Sequence, residues 1–507
     1  KELKSILPYI LHEIFDFEKD QNQGWQLDRI FRSYSTELFN YVRQFLSPEG
    51  PLMKLINCLQ ADPYAVYEFP LKNIPAPARQ MIEDGAIPSF YANKLQGQSF
   101  SSAVLMLNIL QKLCIIIFFY CNYSLLTRNQ SWNDLYEFIY PTVIDDMLVY
   151  FLPCDKSSLP SMPHFGNAHI PRPLGQGSPG GSPASVGGSP YQQQYHHHHY
   201  RSLFKSSFIS AQKQHQQSMP VFDQAEAEIW HTETFLQVIT EFWLNQNSFS
   251  GSEMLPLAGG LQEHFMPSMN HVKMVRLLVK YLHHFANSAT SVITSPFQQT
   301  VQSPLDQFKR LVIPHILQKK LYTFLRNAFD RWPLDSCFRM VLETWLSYIQ
   351  PWRYTDFRQR TQLEAQHSDT DLSKMVEDRW DNFVEDNLLF YTVLTSEFIP
   401  RVFRMDLTSP HSAYMVYRVS RILSLPNLRS LIITAEQELF GGPGSAYLSD
   451  LGGSYLSDQL LPQVVLPSQM LDLEGPAFQY EPFCGDSMRF NVGAPHIKYS
   501  RICFMNQ

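Results

Sequence analysis

A helical repeat of apolar side chains runs through residues 223–440 and constrains the fold more than any other feature of the sequence. Between Val272 and Ala286 the apolar positions recur at intervals of three and four, the period of an α-helix with one buried face. These positions are Val272, Val275, Leu278, Val279, Leu282, Phe285 and Ala286. The period-two alternation that marks half-buried strands is nearly absent. The sequence therefore predicts an all-α, mostly helical fold.

Short local signals mark where single helices begin and end. Ser303 before Pro304 predicts a helix start, because Ser caps the first turn and Pro fits the first helical position. Pro314 predicts a kink in that helix, since proline removes a main-chain donor. Asp335 predicts the cap of the next helix, and Pro351 predicts its end. Further helices are predicted at 380–398 and from Ser409-Pro410 onwards.

Composition divides the 507 residues into five parts. They are an N-terminal helical block (1–153), a disordered low-complexity linker (154–222), a central helical domain (223–440), a Gly-rich loop (441–460) and a mixed C-terminal segment (461–507). The last part either holds two or three strands, as a small β-containing segment, or packs along the helices. Because the chain opens on Lys1 and has no signal-peptide pattern, we expect it to be a segment of a longer protein.

Charge and motifs exclude several classes of function. With 40 Lys and Arg against 47 Asp and Glu, the net charge of −7 provides no global basic field for nucleic acid. No P-loop, H-E-x-x-H, G-x-S-x-G or paired C-x-x-C is present, so standard signatures indicate no enzyme class. The run His196–His199 lies among glutamines and indicates low complexity rather than a metal site. The apolar stretch Ser102–Leu126 is interrupted by Gln111 and Lys112, which favours a buried helix over a membrane span.

Two predicted helices carry charged side chains of interest. The face opposite the apolar stripe of residues 272–286 carries Lys273, Arg276, Lys280 and His283. Such a row suits anionic lipid head groups or an acidic partner, and the alternative is an ordinary solvated face. On the helix after Asp335, Arg339 is predicted to pair with Glu343 at i and i+4.

Several long segments together resemble one known family. They are Ser47–Gln60, Glu228–Leu244, His271–Ser288, Ser303–Lys309, Arg331–Tyr354 and Glu385–Tyr391. On these segments the chain is similar to the sphingomyelin phosphodiesterase 4 family, also called neutral sphingomyelinase type III. The match covers both helical blocks, whereas the linker does not contribute to it.

The resemblance implies hydrolysis of sphingomyelin to ceramide and phosphocholine, with Mg or Mn as cofactor. It also implies a helical protein at the cytosolic face of endoplasmic reticulum, Golgi and nuclear envelope membranes, held by a hydrophobic segment at the far C-terminus that we expect to be absent here. The alternative is a non-catalytic scaffold or adaptor with a protein partner at the nuclear envelope or nuclear pore. No catalytic residues are carried over from the family. By residue chemistry alone the candidates are Glu233, Asp335, His283 and Arg276.

A choline phosphate head group needs an aromatic face and a cation for the phosphate. The segment Arg331–Tyr354 contains three tryptophans that are candidates for such a cage, Trp332, Trp345 and Trp352. The charged residues that accompany them are Arg339, Glu343 and Arg353. Trp345 falls on the apolar face of its helix and is predicted to be core instead. Trp352 and Arg353 follow the helix-ending Pro351 and lie outside that face, so we predict them as the head-group residues.

Overall fold

The computed structural model describes residues 2–15, 24–25, 27–60, 67–70, 95–96, 104–107, 135–154, 224–244, 267–289, 303–355, 375–441, 468–475, 478 and 480. Apart from Cys154, the predicted linker lies outside the described residues, and so does the run His196–His199. The predicted Gly-rich loop lies outside them as well, except for Gly441.

Helices make up most of the described chain, which confirms the predicted class. They are α1 (Glu2–Phe15), α2 (Thr36–Leu46), α3 (Pro51–Gln60), α4 (Ile139–Phe151), α5 (Gln224–Leu244), α6 (Met269–Asn287), α7 (Pro304–Val312), α8 (Gln318–Arg331), α9 (Phe338–Tyr348), α10 (Asp381–Asp386), α11 (Leu388–Tyr391), α12 (Val393–Arg404), α13 (Pro410–Leu423), α14 (Leu428–Gly441) and α15 (Ser468–Glu474). A π-helical turn, Ile313–Leu317, joins α7 to α8. Short 3-10 turns occur at Leu27–Arg29, Leu135–Glu137, Pro351–Tyr354 and Asp378–Trp380.

A small antiparallel sheet lies in the N-terminal block. Its strands β1 (Tyr67–Pro70), β2 (Leu95–Gln96) and β3 (Val104–Leu107) are ordered β1-β3-β2. Tyr67 of β1 pairs with Leu107 of β3. The strand β3 corrects the predicted helix at Val104–Leu107, because a short apolar run suits a strand as well as a buried helix, and the rest of Ser102–Leu126 lies outside the described residues. The strands suggested for the C-terminal segment are not seen at α15, which is helical.

The helix α6 lies at the centre of the core. It packs against α9 on one side and against α7, α5 and α4 on others. The helix α4 belongs to the first block, yet it is joined to the central helices by side chains. The hydroxyl of Thr232 donates to the main-chain oxygen of Phe151 at 3.1 Å, and the hydroxyl of Tyr281 donates to Asp145 at 2.6 Å. The two helical blocks therefore share one core.

Most of the predicted helix boundaries agree with the structure. Ser303 caps α7 by accepting from the main-chain N–H of Asp306 at 3.1 Å, as predicted. Pro314 lies inside the π-helical turn, so the hydrogen-bond ladder changes there while the chain stays helical. The helix α9 ends at Tyr348, before Pro351.

The cap predicted at Asp335 is wrong. The helix α9 begins at Phe338, and its cap residue is Cys337, which has no capping side-chain hydrogen bond. Asp335 accepts from the N–H of Cys337 at 2.9 Å, so it closes a turn before the helix instead. The single helix predicted at 380–398 is divided into α10, α11 and part of α12.

Candidate functional site

Three arginines from three helices meet around one carboxylate. Glu343 of α9 accepts from Nε and Nη2 of Arg418 on α13, each at 3.1 Å. It also accepts from Nη2 of Arg276 on α6 at 3.3 Å. Nε of Arg276 donates to Ser347 at 3.0 Å, and the hydroxyl of Ser347 donates to the main-chain oxygen of Glu343 at 2.7 Å. We call Arg276, Arg339, Arg418 and Glu343 the arginine cluster.

Arg339 completes the cluster without bonding to its carboxylate. Its guanidinium lies over the ring of Tyr414, 4.8 Å from the centroid. The pair predicted between Arg339 and Glu343 is therefore wrong, because Arg276 and Arg418 occupy the carboxylate oxygens. Burial alone would raise the pKa of Glu343, but the charges of Arg276, Arg418 and Arg339 outweigh it and lower that pKa. The carboxylate is thus held ionised beneath the arginines.

The turn Pro351–Tyr354, which holds the predicted head-group residues, adjoins this cluster. Asn287, at the end of α6, donates through Nδ2 to the main-chain oxygens of Pro351 at 2.8 Å and Tyr354 at 3.2 Å. The phenol of Tyr354 lies close enough to Arg418 to raise the pKa of that guanidinium, alongside the larger effect of Glu343. The turn is therefore bonded to the end of α6, the helix that also carries Arg276.

Trp352 and Arg353 are half-buried in that turn. The ring of Trp352 stands edge-on to Trp380, with centroids 6.4 Å apart. The guanidinium of Arg353 makes no hydrogen bond or ion pair with any residue that the structure describes. The turn therefore holds a partly exposed tryptophan and a partly exposed arginine at neighbouring positions.

The other two tryptophans of the proposed cage lie apart from Trp352. Trp345 is fully buried, as predicted, and its indole N–H donates to the main-chain oxygen of Phe390 at 2.9 Å. Trp332 is buried at the end of α8, where its main-chain oxygen accepts from Arg401 at 2.6 Å. A three-tryptophan cage is therefore wrong, and Trp352 has Trp380 as its aromatic neighbour instead.

The basic stripe predicted on α6 is only partly at the surface. His283 has 1% of its surface exposed, and its Nε2 lies 2.9 Å from the main-chain oxygen of Tyr348. Burial lowers the pKa of His283 to about 3, so the ring is neutral. This corrects the prediction for His283, because α6 is covered on nearly every side. Lys273 and Lys280 are half-buried, and burial lowers the pKa of Lys273.

The remaining catalytic candidates lie on separate elements. Glu233 is buried on α5 and accepts from Nε2 of Gln237 at 2.9 Å. Asp335 is exposed in the turn before α9. In the described ranges no three His, Cys, Asp or Glu side chains lie close enough together to hold a metal ion. These residues therefore do not fit the Mg or Mn that the resemblance implies, and that cofactor stays a prediction.

Sequence reasoning missed three members of this region. Arg418 and Tyr414 lie on α13, and Trp380 lies in the turn before α10. Their contacts join positions that are far apart in the chain, and Arg418 is 75 residues from Glu343. The one available signal is Glu343 itself, a charged residue beside the apolar positions Leu342 and Trp345.

Together, the fold and this region define a helical protein with a cationic, partly aromatic surface at the junction of α6, α9 and α13. A family model for mitochondrial-associated sphingomyelin phosphodiesterase matches residues 1–255 and 255–494. The chain belongs to this family.

Curated relatives show the same relationship. Sphingomyelin phosphodiesterase 4 of Danio rerio is 35% identical over 517 residues, covering 97% of this chain and 61% of the relative. The mouse protein of that name is 33% identical, covering 96% of this chain and 62% of its own length. The human one is 33% identical, covering 96% and 59%. The chain therefore spans about three fifths of these relatives.

No solved structure is significantly similar to the chain. Within the described ranges, no helix combines the length and the apolar character needed to cross a membrane.

Proposed function

We propose that this chain hydrolyses sphingomyelin to ceramide and phosphocholine. The observation that carries the proposal is the 35% identity to a sphingomyelin phosphodiesterase 4 over 97% of the chain. The chain covers 61% of the length of that relative, so the activity of the whole relative is proposed for this chain. The structure supports it through the cationic and aromatic surface beside the turn Pro351–Tyr354.

The head-group role of Trp352 and Arg353 follows from the substrate's chemistry. A choline ammonium is attracted to the face of a tryptophan ring, and a guanidinium forms paired hydrogen bonds with phosphate oxygens. Negative charge grows on those oxygens as the phosphodiester is attacked, so a fixed cation stabilises the transition state. The guanidinium of Arg353 has no partner among the described residues and is half-exposed, as this role requires.

The Mg or Mn implied by the resemblance stays part of the proposal. The residues described here hold the lipid head group in this proposal, and none is assigned to the metal. Titration of either metal into the assay tests this part separately.

We propose that the protein works at the cytosolic face of endoplasmic reticulum, Golgi and nuclear envelope membranes, where Lys273 and Lys280 contact anionic lipids. Each basic residue near such a surface contributes about 1 kcal/mol, and salt screens the effect. Lys273→Glu with Lys280→Glu should weaken binding to anionic vesicles at low salt. The matched control is Lys54→Glu with Lys319→Glu, two exposed lysines on α3 and α8. Equal binding by both double variants would remove the lysines from the proposal.

A vesicle assay tests the reaction itself. The purified chain is incubated with sphingomyelin vesicles and increasing Mg or Mn, and ceramide and phosphocholine are measured by mass spectrometry. We expect both products in equal amounts. No ceramide under any metal condition would contradict the enzyme proposal and favour the scaffold with a partner at the nuclear envelope or nuclear pore.

A further inference from the structure

The arginine cluster is layered from the inside of the protein outwards. The side chain of Glu343 is 4% exposed, whereas those of Arg418 and Arg276 are 11% and 22% exposed. Arg339 is half-buried over the ring of Tyr414. The carboxylate therefore lies at the bottom, and the guanidiniums separate it from solvent.

The cluster holds more positive charge than its internal partner neutralises. Arg276, Arg339 and Arg418 each carry a full charge, and Glu343 is the carboxylate that bonds to this group within the described part of the chain. The low pKa of Glu343 keeps that single negative charge in place. The cluster therefore carries two more positive charges than negative ones, and Arg339 is the arginine that bonds to no described carboxylate.

Some N–H donors of these guanidiniums also have no acceptor among the described residues. A guanidinium has five N–H donors, and Arg276 uses Nε and Nη2 while Arg418 uses Nε and Nη2 on Ser347 and Glu343. The guanidinium of Arg339 donates to no acceptor among the residues described, and it contacts the ring of Tyr414. The ion pairs between α6, α9 and α13 use Arg276, Arg418 and Glu343, whereas Arg339 contacts the ring of Tyr414 and keeps all five N–H donors available.

We propose that the arginine cluster binds a phosphate group on its solvent side. Glu343 holds Arg276 and Arg418 in fixed positions, and Arg339 adds the third cation. Planar guanidiniums suit phosphate because they donate paired hydrogen bonds to its oxygens. Since Asn287 bonds the turn that carries Trp352 to α6, the helix that also carries Arg276, the phosphate belongs to a phosphocholine head group, an identification that rests on the proposed function.

Binding to the intact chain tests the site without measuring hydrolysis. Inorganic phosphate and phosphocholine are titrated in a calorimeter at constant ionic strength, with chloride as the reference anion. Arg339→Gln should weaken binding of either ligand at least tenfold, because a charge-assisted contact is lost. Arg404→Gln, which removes an exposed arginine at the end of α12, should leave binding unchanged. Equal affinities in the parent chain and in Arg339→Gln, or no binding at all, would overturn the site.

A second arm separates a lipid head group from a free phosphate. Binding to sphingomyelin vesicles is compared with binding to vesicles of a phosphate-free galactolipid. Preference for sphingomyelin that Arg339→Gln abolishes supports the lipid source, and Arg339-dependent binding of inorganic phosphate alone supports a free anion. Binding without ceramide formation would contradict the proposed function and leave the site standing. Ceramide formation without anion binding would overturn the site and leave the function.

Removing the negative charge of Glu343 gives a second, independent test, which is read from the melting temperature. In Glu343→Gln the arginines lose their internal counter-charge, so phosphate should raise the melting temperature of this variant by more than it raises that of the parent chain, at equal ionic strength. If Glu343→Gln does not fold, Arg339→Gln and Arg404→Gln carry the test. An equal rise in the folded variant and the parent chain would overturn the proposal.

Discussion

Arg418 donates two hydrogen bonds of 3.1 Å to the carboxylate of Glu343, one from Nε and one from Nη2. This contact joins α13 to α9, and Arg276 extends it to α6. Removing one member of such a buried ion pair costs several kcal/mol of stability, because the charge of the remaining partner is left uncompensated. One carboxylate therefore forms hydrogen bonds to two other helices in addition to their apolar packing.

Glu343→Ala should destabilise the protein by about 3–5 kcal/mol, since it leaves the mostly buried guanidiniums of Arg276 and Arg418 without their carboxylate. Urea denaturation followed by circular dichroism measures the free energy of unfolding. Glu438→Ala, at an exposed position on α14, should change it by less than about 0.5 kcal/mol. Similar values for both variants would show that the ion pair adds little to stability.

Acid should destabilise the fold through buried histidines. Burial lowers the pKa of His231 to about 4, of His271 to about 4 and of His283 to about 3. Unfolded histidine titrates near ~6.5, so between that pH and about 4 the unfolded state binds more protons. Stability is therefore fully present above the unfolded pKa and is lost as pH falls through the folded values.

His231→Phe should reduce this pH dependence, because one group no longer titrates between the two states. Each such histidine contributes a slope of up to ~1.4 kcal/mol per pH unit. Urea denaturation from pH 7 to pH 4.5 measures the slope. His411→Gln, at an exposed position on α13, should leave the slope unchanged. Equal slopes in the parent chain and in His231→Phe would mean that the ring of His231 protonates in the folded state.

Trp345→Ala should unfold much of the central helices. The ring packs edge-on against Phe329 at 5.3 Å, and removing a buried aromatic costs about 3–5 kcal/mol against a total stability of about 5–15 kcal/mol. Trp345→Phe keeps most of the packing but leaves the main-chain oxygen of Phe390 without its donor, at a cost of about 1–3 kcal/mol. Thermal unfolding by calorimetry distinguishes the two. A larger loss in Trp345→Phe than in Trp345→Ala would contradict this account.

The apolar periodicity predicted the span of α6 well, but it predicted poorly which of its side chains are exposed. The predicted span, 272–286, lies within the observed Met269–Asn287. However, the apolar stripe shows only that one face is buried, and it contains no information about which elements cover the other faces. The neighbours α4, α5, α7 and α9 cover most of them, so His283 is core rather than surface.

The arginine cluster shows why a site is harder to predict than a helix. The spacing of Arg339 and Glu343 predicts a local pair, because i and i+4 lie on the same side of a helix. In the structure two arginines from other helices occupy the carboxylate, and Arg339 lies over Tyr414. Contacts between distant parts of the chain leave no periodic trace in one sequence.

Arg353→Ala should lower the rate of ceramide formation at least tenfold, because a charged contact to the head-group phosphate is worth about 1.5–3 kcal/mol. The free energy of unfolding should stay within about 0.5 kcal/mol of the parent value, since the guanidinium of Arg353 has no partner among the described residues. Turnover on sphingomyelin vesicles and urea denaturation are measured on the same preparations.

The matched control for this variant is Arg404→Ala. Arg404 is an exposed arginine whose Nε donates to the main-chain oxygen of Pro400 on its own helix. It should retain the parent turnover. Trp352→Ala should raise KM more than it lowers kcat if the ring binds the choline group in the ground state and the transition state equally. Arg353→Ala with parent turnover would remove Arg353 from the head-group site. Equal losses in Arg353→Ala and Arg404→Ala would mean that surface charge in general, rather than a phosphate contact, sets the rate.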